Sequence, residues 1–389
     1  MKAPSQEAAF VEKLLAKADI KIQGDRPWDI QVHRPELYKR VLYGGSLALG
    51  ESYMDGWWDC DALDQFFDRV LRNRLDKEVR PTSPLLFLRF LRARLMNVQR
   101  GARAYEIGRR HYDIGNELFR LMLDKWMNYS CGFWASARTL DEAQEAKMEL
   151  ICQKLELEPG MKLLDIGCGW GGLARYAAER YGVSVHGITV SQKQVAFARD
   201  FCRDVDVTIE LKDYRDLRGT YDRIVSVGMF EHVGYKNYRT YMEVVHRCLK
   251  PDGRFLLHTI GRNASGVTSD PWIEKYIFPN SMLPSVKQIA EAAEGLFVLE
   301  DWHNFGHHYD PTLMAWYRNF TTHWDQLKDK YDERFYRMWT YYLLSCAGGF
   351  RARQNQLWQV VFSKQGVPGG YRYRDNLERL RVKGHLSHA

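Results

Sequence analysis

The sequence has no long apolar run, no paired cysteines, no internal repeat and no low-complexity tract, and each absence narrows what the chain can be. Among its 389 residues no uninterrupted hydrophobic stretch approaches the roughly 20 that a membrane-spanning helix needs. The opening MKAPSQEAAFVEKLLAKADI is broken by charges and does not read as a secretory signal. Cys60, Cys131, Cys152, Cys168, Cys202, Cys248 and Cys346 are scattered, odd in number and never in a C-x-x-C pair. That argues against a structural zinc site or a disulfide framework and for a reducing compartment. A cytoplasmic protein without a metal is the expectation.

What is present is an ordinary globular composition, 45% hydrophobic and 27% charged, which is enough apolar material for a large core. The formal net charge of +7 favours anionic partners and leaves nucleic acid and an acidic membrane surface both open. Aromatic residues are in excess at 13%, with 22 Tyr and 12 Trp, and a large core is their ordinary explanation.

Residues 1–80 read as a small, mainly helical N-terminal domain, with amphipathic stretches such as EAAFVEKLLAKADI and CDALDQFFDRVL. Residues 81–104 read as a linker. Its segment PTSPLLFLRFLRARLMNVQR places Arg89, Arg92 and Arg94 on a helical apolar pattern, suited either to packing on the next domain or to lying on anionic lipid. Residues 105–389 read as the catalytic domain. From about residue 150, strand and helix patterns alternate: KLLDI, GGLARYAAERYG, VSVHGITV, SQKQVAFARDFCRD, VTIEL, YDRIVSVGMF, NYRTYMEVVHRCL, a turn at KPDG, and RFLLHTIG. This alternation predicts a parallel sheet covered on both faces. An insertion of irregular composition, about 262–296, precedes the late strands LFVLEDW and LWQVVFS.

The stretch LLDIGCGWGG, residues 163–172, satisfies G-x-G-x-x-G through Gly167, Gly169 and Gly172. Three features argue against a dinucleotide. Asp165 sits two places before the first glycine, the second strand ends GITVSQ without an acid for a ribose, and KPDG has no required role in such a fold. The loop, the strand YDRIVS and then KPDG, in that order, resemble a class I S-adenosylmethionine-dependent methyltransferase, with a Rossmann-like seven-stranded α/β sheet. There the glycines let backbone approach the methionine part of the cofactor and the acid organises the loop near its ammonium group. The missing acid after the second strand leaves Thr189 and Gln194 as substitutes.

The motifs HYDIGNELF, MNYSCGFW, SVGMFEHVG, LLHTIG, DPWIEKYIFPN, EDWHNFG, YDPTLMAW and CAGGFRARQNQLWQVVFSK occur in this order. Together they closely resemble the cyclopropane-fatty-acyl-phospholipid synthases and, over the catalytic portion, the mycolic acid cyclopropane synthases. GGSLALGESYMDGWWDCDALDQFF extends the resemblance into the N-terminal domain. The implied activity adds a methylene from S-adenosyl-L-methionine across a cis double bond of an unsaturated phospholipid. An isolated alkene is a poor nucleophile, so methyl transfer needs a dry, oriented pocket. The carbocation it leaves can be stabilised by aromatic faces, and a positioned weak base must then remove a proton.

The resemblance implies that this base is bound bicarbonate, held by Glu231, His258 and Tyr309 with backbone at Cys131 and Ile260. His and Tyr can donate to the anion, and Glu231 can accept its O–H. The cofactor shell implied is Tyr129, Ser130, Asp165, Gly167, Cys168, Gly169, Gly171, Gly172, Thr189, Ser191, Gln194, Tyr214 and Arg215, with Asp213 an alternative to the last pair. Ser191 also suits a helix N-cap. Cys346 matches a cysteine considered as a nucleophile in the family, although direct attack by the alkene needs no covalent enzyme intermediate. Without the resemblance, Glu231 would suit a helix cap and His258 a core histidine, while Tyr309 beside His307 and His308 lacks a second cluster for a metal.

The resemblance further implies a homodimer in peripheral contact with the anionic inner face of the cell membrane, with 262–296 as lid or lipid-contacting surface. A product that is methyl-branched or hydroxylated would follow if the carbocation were reduced or captured water. An RNA methyltransferase would fit the charge, but no RNA-binding motif is present and no nucleic-acid partner is expected. A non-catalytic lipid-binding protein would have no need of the cofactor loop.

Overall fold

The computed structural model describes residues 5–79 and 115–373. The expected basic helix of 81–104 lies outside the described residues.

Seven strands form one sheet in the order β5-β4-β3-β6-β7-β9-β8. They are β3 (Lys162–Ile166), β4 (Ser184–Thr189), β5 (Val207–Leu211), β6 (Tyr221–Val227), β7 (Leu249–Arg262), β8 (Val298–Asn304) and β9 (Asn355–Ser363). The first five in sequence pair in parallel, and β9 runs antiparallel between β7 and β8. The central strands are buried on both faces over most of their length, Leu163–Ile166 of β3 and Arg223–Ser226 of β6 being covered throughout, as helices on both sides of a parallel sheet require. The chain order reverses at β3, so the crevice beyond its carboxyl end is the place where such sheets bind ligands.

Helices follow the strands as the sequence predicts. α7 (Gly172–Tyr181) ends on Gly182 at φ 63°, and α8 (Gln192–Phe201) is capped by Ser191, whose Oγ accepts from the Gln194 N–H. KPDG is not a turn between elements. β7 runs through it, and because Tyr221 pairs with Leu249 but Arg223 with Arg254, residues 250–253 bulge out of the ladder. The insertion is more ordered than its composition suggests. It holds α10 (Pro271–Tyr276), capped by Asp270 with Pro271 in the first turn, and α11 (Val286–Ala293), with a Ser285/Gln288 capping box. Its large apolar residues Trp272, Ile277 and Met282 are buried.

The N-terminal segment forms α1 (Gln6–Ala16), α2 (Glu36–Met54), α3 (Leu63–Arg72) and α4 (Leu75–Glu78), with a two-stranded ladder of β1 (Gln31–Val32) and β2 (Trp58–Asp59). It packs against α13 (Glu333–Arg351) through one continuous apolar cluster. The seam is close: a Cβ on Gly348 would stand 2.6 Å from the Asp64 carbonyl, and one on Gly50 would stand 2.4 Å from the Trp272 ring. Arg351 ties Asp64 to Asp310 at 2.6 and 2.8 Å.

Candidate active site

The glycine loop is held from both sides. The Gly167 and Cys168 N–H groups both donate to the Ile188 carbonyl at 2.9 and 3.0 Å, tying the loop to β4. On the other side Trp170 donates to Asn116 at 3.1 Å and packs on Phe119, both from α5 (Asn116–Met122). Gly167, Gly169 and Gly171 all have positive φ, at 88°, 55° and 88°. Their surroundings differ. A Cβ on Gly169 would meet nothing within 4 Å among the described residues, whereas one on Gly172 would collide with the Trp126 carbonyl at 2.1 Å. Gly169 therefore borders open space, and Gly172 is required by close helix packing.

Asp165 is buried behind this loop, and burial pushes its carboxyl up to about 7 despite the nearby Lys147. Lys147 belongs to α6 (Leu140–Lys154) and is itself buried, which lowers its ammonium to about 8. It donates to Asn128 Oδ1 at 2.8 Å and Ser130 Oγ at 3.0 Å, while Gln144 of the same helix donates to the Ser130 carbonyl at 2.8 Å. Asn128 is fixed in turn by Asp124. This network orders the 128–131 segment that carries Tyr129, Ser130 and Cys131. Gln144 and Lys147 stand in no motif of the sequence. The available signal was a Thr139/Glu142 capping box followed by polar residues on the buried stripe of a helix.

Thr189, Ser191 and Gln194 form a compact turn after β4, with Thr189 Oγ1 donating to Gln194 Oε1 at 2.7 Å. Tyr214 and Arg215 follow β5. The Tyr214 ring turns into the core against Tyr241, and the Arg215 guanidinium is bound by Asp213 at 2.8 Å.

The second group gathers beyond β6 and β7. Gly228, at φ 64°, leads into a 3₁₀ turn over Phe230–His232. Glu231 there caps no helix. Its Oε1 accepts the Ile260 N–H at 2.7 Å, so that amide is already engaged, and its Oε2 is buried without a hydrogen-bond partner among the described residues. Burial pushes Glu231 up to about 7, with the Ile260 bond opposing. His258, two residues before Ile260 on β7, is 1% exposed. Its Nδ1 lies 3.2 Å from Gln359 Nε2, and its Nε2 has no partner among the described residues. Burial, with Lys147 and Lys154 nearby, holds the imidazole well below its ordinary value, hence neutral.

Tyr309, the first residue of α12 (Tyr309–Thr322), is buried with its ring on Phe350. Burial pushes its phenol up, reinforced by Cys131, Tyr129, Glu231 and Cys346 around it. The peptide next to Cys131 is fixed, because the Gly132 N–H donates to Thr312 at 3.1 Å. Aromatic rings close the region: Tyr129 packs on Trp316 at 5.1 Å, and its hydroxyl meets that of Tyr342 at 2.9 Å. His308 is explained locally, its Nδ1 accepting the Trp134 N–H at 3.0 Å. The partly buried Cys346 thiol is pushed up to about 12 by desolvation, with Asp270 adding to it. All seven cysteines are free, and among the described residues no three or more potential ligands are grouped to hold a metal.

Two groups of residues thus gather at the carboxyl ends of neighbouring strands, a glycine loop backed by a buried acid and, beside it, Glu231 and His258, each with a buried polar atom that has no partner among the described residues. The family model for mycolic acid cyclopropane synthetase matches residues 99–360. The chain belongs to this family. A cyclopropane-fatty-acyl-phospholipid synthase of Escherichia coli K12 is 58% identical over 363 residues, covering 93% of this chain and 94% of that protein. Cyclopropane mycolic acid synthase 2 of Mycobacterium leprae is 35% identical over 65% of this chain and 92% of its own length. Among solved structures, the cyclopropane synthase MmaA2 from Mycobacterium tuberculosis superposes with a TM-score of 0.64 at 34% identity, covering 67% of this chain and 98% of that one. Mycolic acid cyclopropane synthase CmaA1 complexed with SAH and CTAB gives 0.62 at 33%, with coverage of 67% and 98%. The family carries the class I methyltransferase fold expected from the sequence, and the chain is an S-adenosylmethionine-dependent methyltransferase acting on lipid.

Proposed function

We propose that the chain converts cis-unsaturated acyl chains of membrane phospholipids to cyclopropanes, with bound bicarbonate as the base that closes the ring. The observation that carries this is the pair of buried orphans, Glu231 Oε2 and His258 Nε2, on elements joined by the Glu231–Ile260 bond. Buried polar atoms without partners are rare and costly. A small ion that both accepts and donates satisfies this pair, and bicarbonate does so with its oxyanion toward His258 and its O–H toward Glu231. Tyr309, with Glu231 and Cys131 around its hydroxyl, is a second donor to such an anion. Bound bicarbonate supplies a weak base where the proton must leave.

The cradle fits S-adenosyl-L-methionine. Gly169 borders open space, and Asp165, buried with Lys147 the one cation acting on it among the described residues, suits a cationic ligand. The cofactor supplies an electrophilic methyl group. In this reading the 165–172 loop and the 189–194 turn orient it, and Tyr129 and Ser130 close over it. The role of Tyr214 and Arg215 is confined to the adenine end. The aromatic cluster of Tyr129, Trp316, Tyr309 and Phe350 excludes water and faces the positive charge that develops on the acyl chain.

We assign Cys346 a structural role, since a thiol pushed up to about 12 is a poor nucleophile at neutral pH. We also propose a homodimer that docks peripherally on the anionic cytoplasmic face of the membrane. The net charge of +7 and a substrate lying inside the bilayer support the docking, and no helix among the described residues is long and apolar enough to cross a membrane. The family resemblance supports the dimer.

The test is incubation with vesicles of cis-monounsaturated phospholipid, methyl-labelled S-adenosylmethionine and bicarbonate. Lipid that gains one CH₂, loses its alkene proton resonances and shows cyclopropane resonances is the expected result. A methyl-branched or hydroxylated lipid would overturn ring closure, and unlabelled lipid would overturn the substrate.

A further inference from the structure

Gln359 occupies the middle of a polar row that crosses three strands. On β9 it stands opposite His258 of β7 on one side and His303 of β8 on the other. Directly opposed residues project from one face of a sheet. Gln359 is fully buried between Trp358 and Val360, the one polar residue within the Leu357–Phe362 stretch of its strand. An amide in such a place is tolerated only where it makes a hydrogen bond that matters to the fold or the site.

Its Nε2 lies 3.2 Å from His258 Nδ1. An amide nitrogen only donates, so Nδ1 accepts, and the single proton of a neutral imidazole then resides on Nε2. The ring is neutral because it is buried and two lysines, Lys147 and Lys154, oppose a second proton. The amide orientation has its own support. Gln359 Oε1 is a buried carbonyl oxygen without a partner among the described residues, and reversing the amide would bury two N–H donors there instead. Orphaned N–H groups are the rarer of the two.

We propose that Gln359 is a positioning residue that fixes His258 as the Nε2–H tautomer and so makes it an obligate donor to the anion in the site. The inference rests on the bicarbonate reading and adds how the site selects its ligand. With Nε2–H, the site presents His258 and Tyr309 as donors and Glu231 as acceptor, which suits an anion that also carries one proton. With the other tautomer, His258 Nε2 and Glu231 would be two acceptors side by side, and an oxyanion would be repelled. Gln359 itself touches neither the anion nor the lipid in this scheme.

The experiment uses the full-length protein with ¹⁵N-labelled histidine, the His258 signals being assigned by their loss in His258→Gln. Multiple-bond ¹H–¹⁵N spectra are expected to show a protonated Nε2 and a bare Nδ1 in the unsubstituted protein, and to lose that pattern in Gln359→Met. In vesicle assays Gln359→Met is expected to raise the half-activating bicarbonate concentration about tenfold, the loss of one charge-assisted hydrogen bond, with the rate at saturating bicarbonate held within about twofold. Gln359→Leu repeats both measurements if the Met variant does not fold. A protonated Nδ1 in the unsubstituted protein, or an unchanged half-activating concentration in a folded variant, overturns the proposal. An Nε2–H ring in a protein indifferent to bicarbonate would instead overturn the bicarbonate reading and leave the tautomer assignment standing.

Discussion

Glu231 Oε1 accepts the backbone N–H of Ile260 at 2.7 Å, which locks a carboxylate from the turn after β6 onto the strand that carries His258. The bond uses one oxygen and leaves the other buried and without a partner among the described residues. It therefore aims the acid while keeping its acceptor capacity for a ligand. Glu231→Gln preserves the anchoring oxygen and replaces the free one by a donor. Turnover is expected to fall about 100-fold or more, in line with the loss of a positioned acid–base group. Cofactor affinity by calorimetry should stay within about twofold. Equal loss of both would mean that Glu231 serves the fold.

Asp165 gives a pH dependence to cofactor binding. Its carboxyl is raised to about 7, so it is ionised above that pH and neutral below it. Attraction for a cationic cofactor is present above pH 7 and is lost as the pH falls through 7. Affinity should drop on going from pH 8 to 6, and Asp165→Asn should bind weakly at both. For stability the sign is opposite, because a raised acid makes the ligand-free fold less stable as pH rises from about 4 to 7. Asp165→Asn should raise the Tm of the ligand-free protein by a few degrees at pH 8 and by little at pH 5, as read by calorimetry.

Two glycines of one motif should behave differently. Gly169→Ala places a methyl into open space at a positive φ, a strain of about 1–2 kcal/mol, and should abolish cofactor binding with a modest fall in Tm. Gly172→Ala drives a Cβ to 2.1 Å from the Trp126 carbonyl and should destabilise the protein by several kcal/mol or prevent folding. Thermal melts with and without S-adenosylmethionine separate the two.

Cys346→Ala should retain turnover within about twofold, since direct attack by an alkene needs no enzyme nucleophile. A folded Cys346→Ala protein that has lost about 100-fold or more in turnover would return the thiol to the mechanism.

Elements long enough to show a period were legible in the sequence. KLLDI and VTIEL became β3 and β5 residue for residue, and Gly182 closes α7 as its position suggests. Short or interrupted elements were not. α10 has six residues, too few to show a helical period, and only its Asp270-Pro271 start signalled it. The bulge at KPDG reads as a turn because its local chemistry is that of a turn, while the ladder on either side of it is set by β6. Within the site, motif-borne residues such as Glu231 and Asp165 could be named from the chain. Lys147 and Gln359 could not, because each matters through a partner distant in sequence. Lys147 Nζ reaches residues 17 and 19 positions away, and Gln359 reaches His258 across 101.

The most direct measurement is the initial rate of cyclopropane formation against bicarbonate concentration, in CO₂-free buffer, on vesicles of cis-monounsaturated phospholipid. A saturable rise from a low basal rate, abolished in Glu231→Gln, is the predicted result. A rate indifferent to bicarbonate, with cyclopropane still formed, would show that the orphaned pair of Glu231 and His258 serves some other purpose and that the proton leaves by another route.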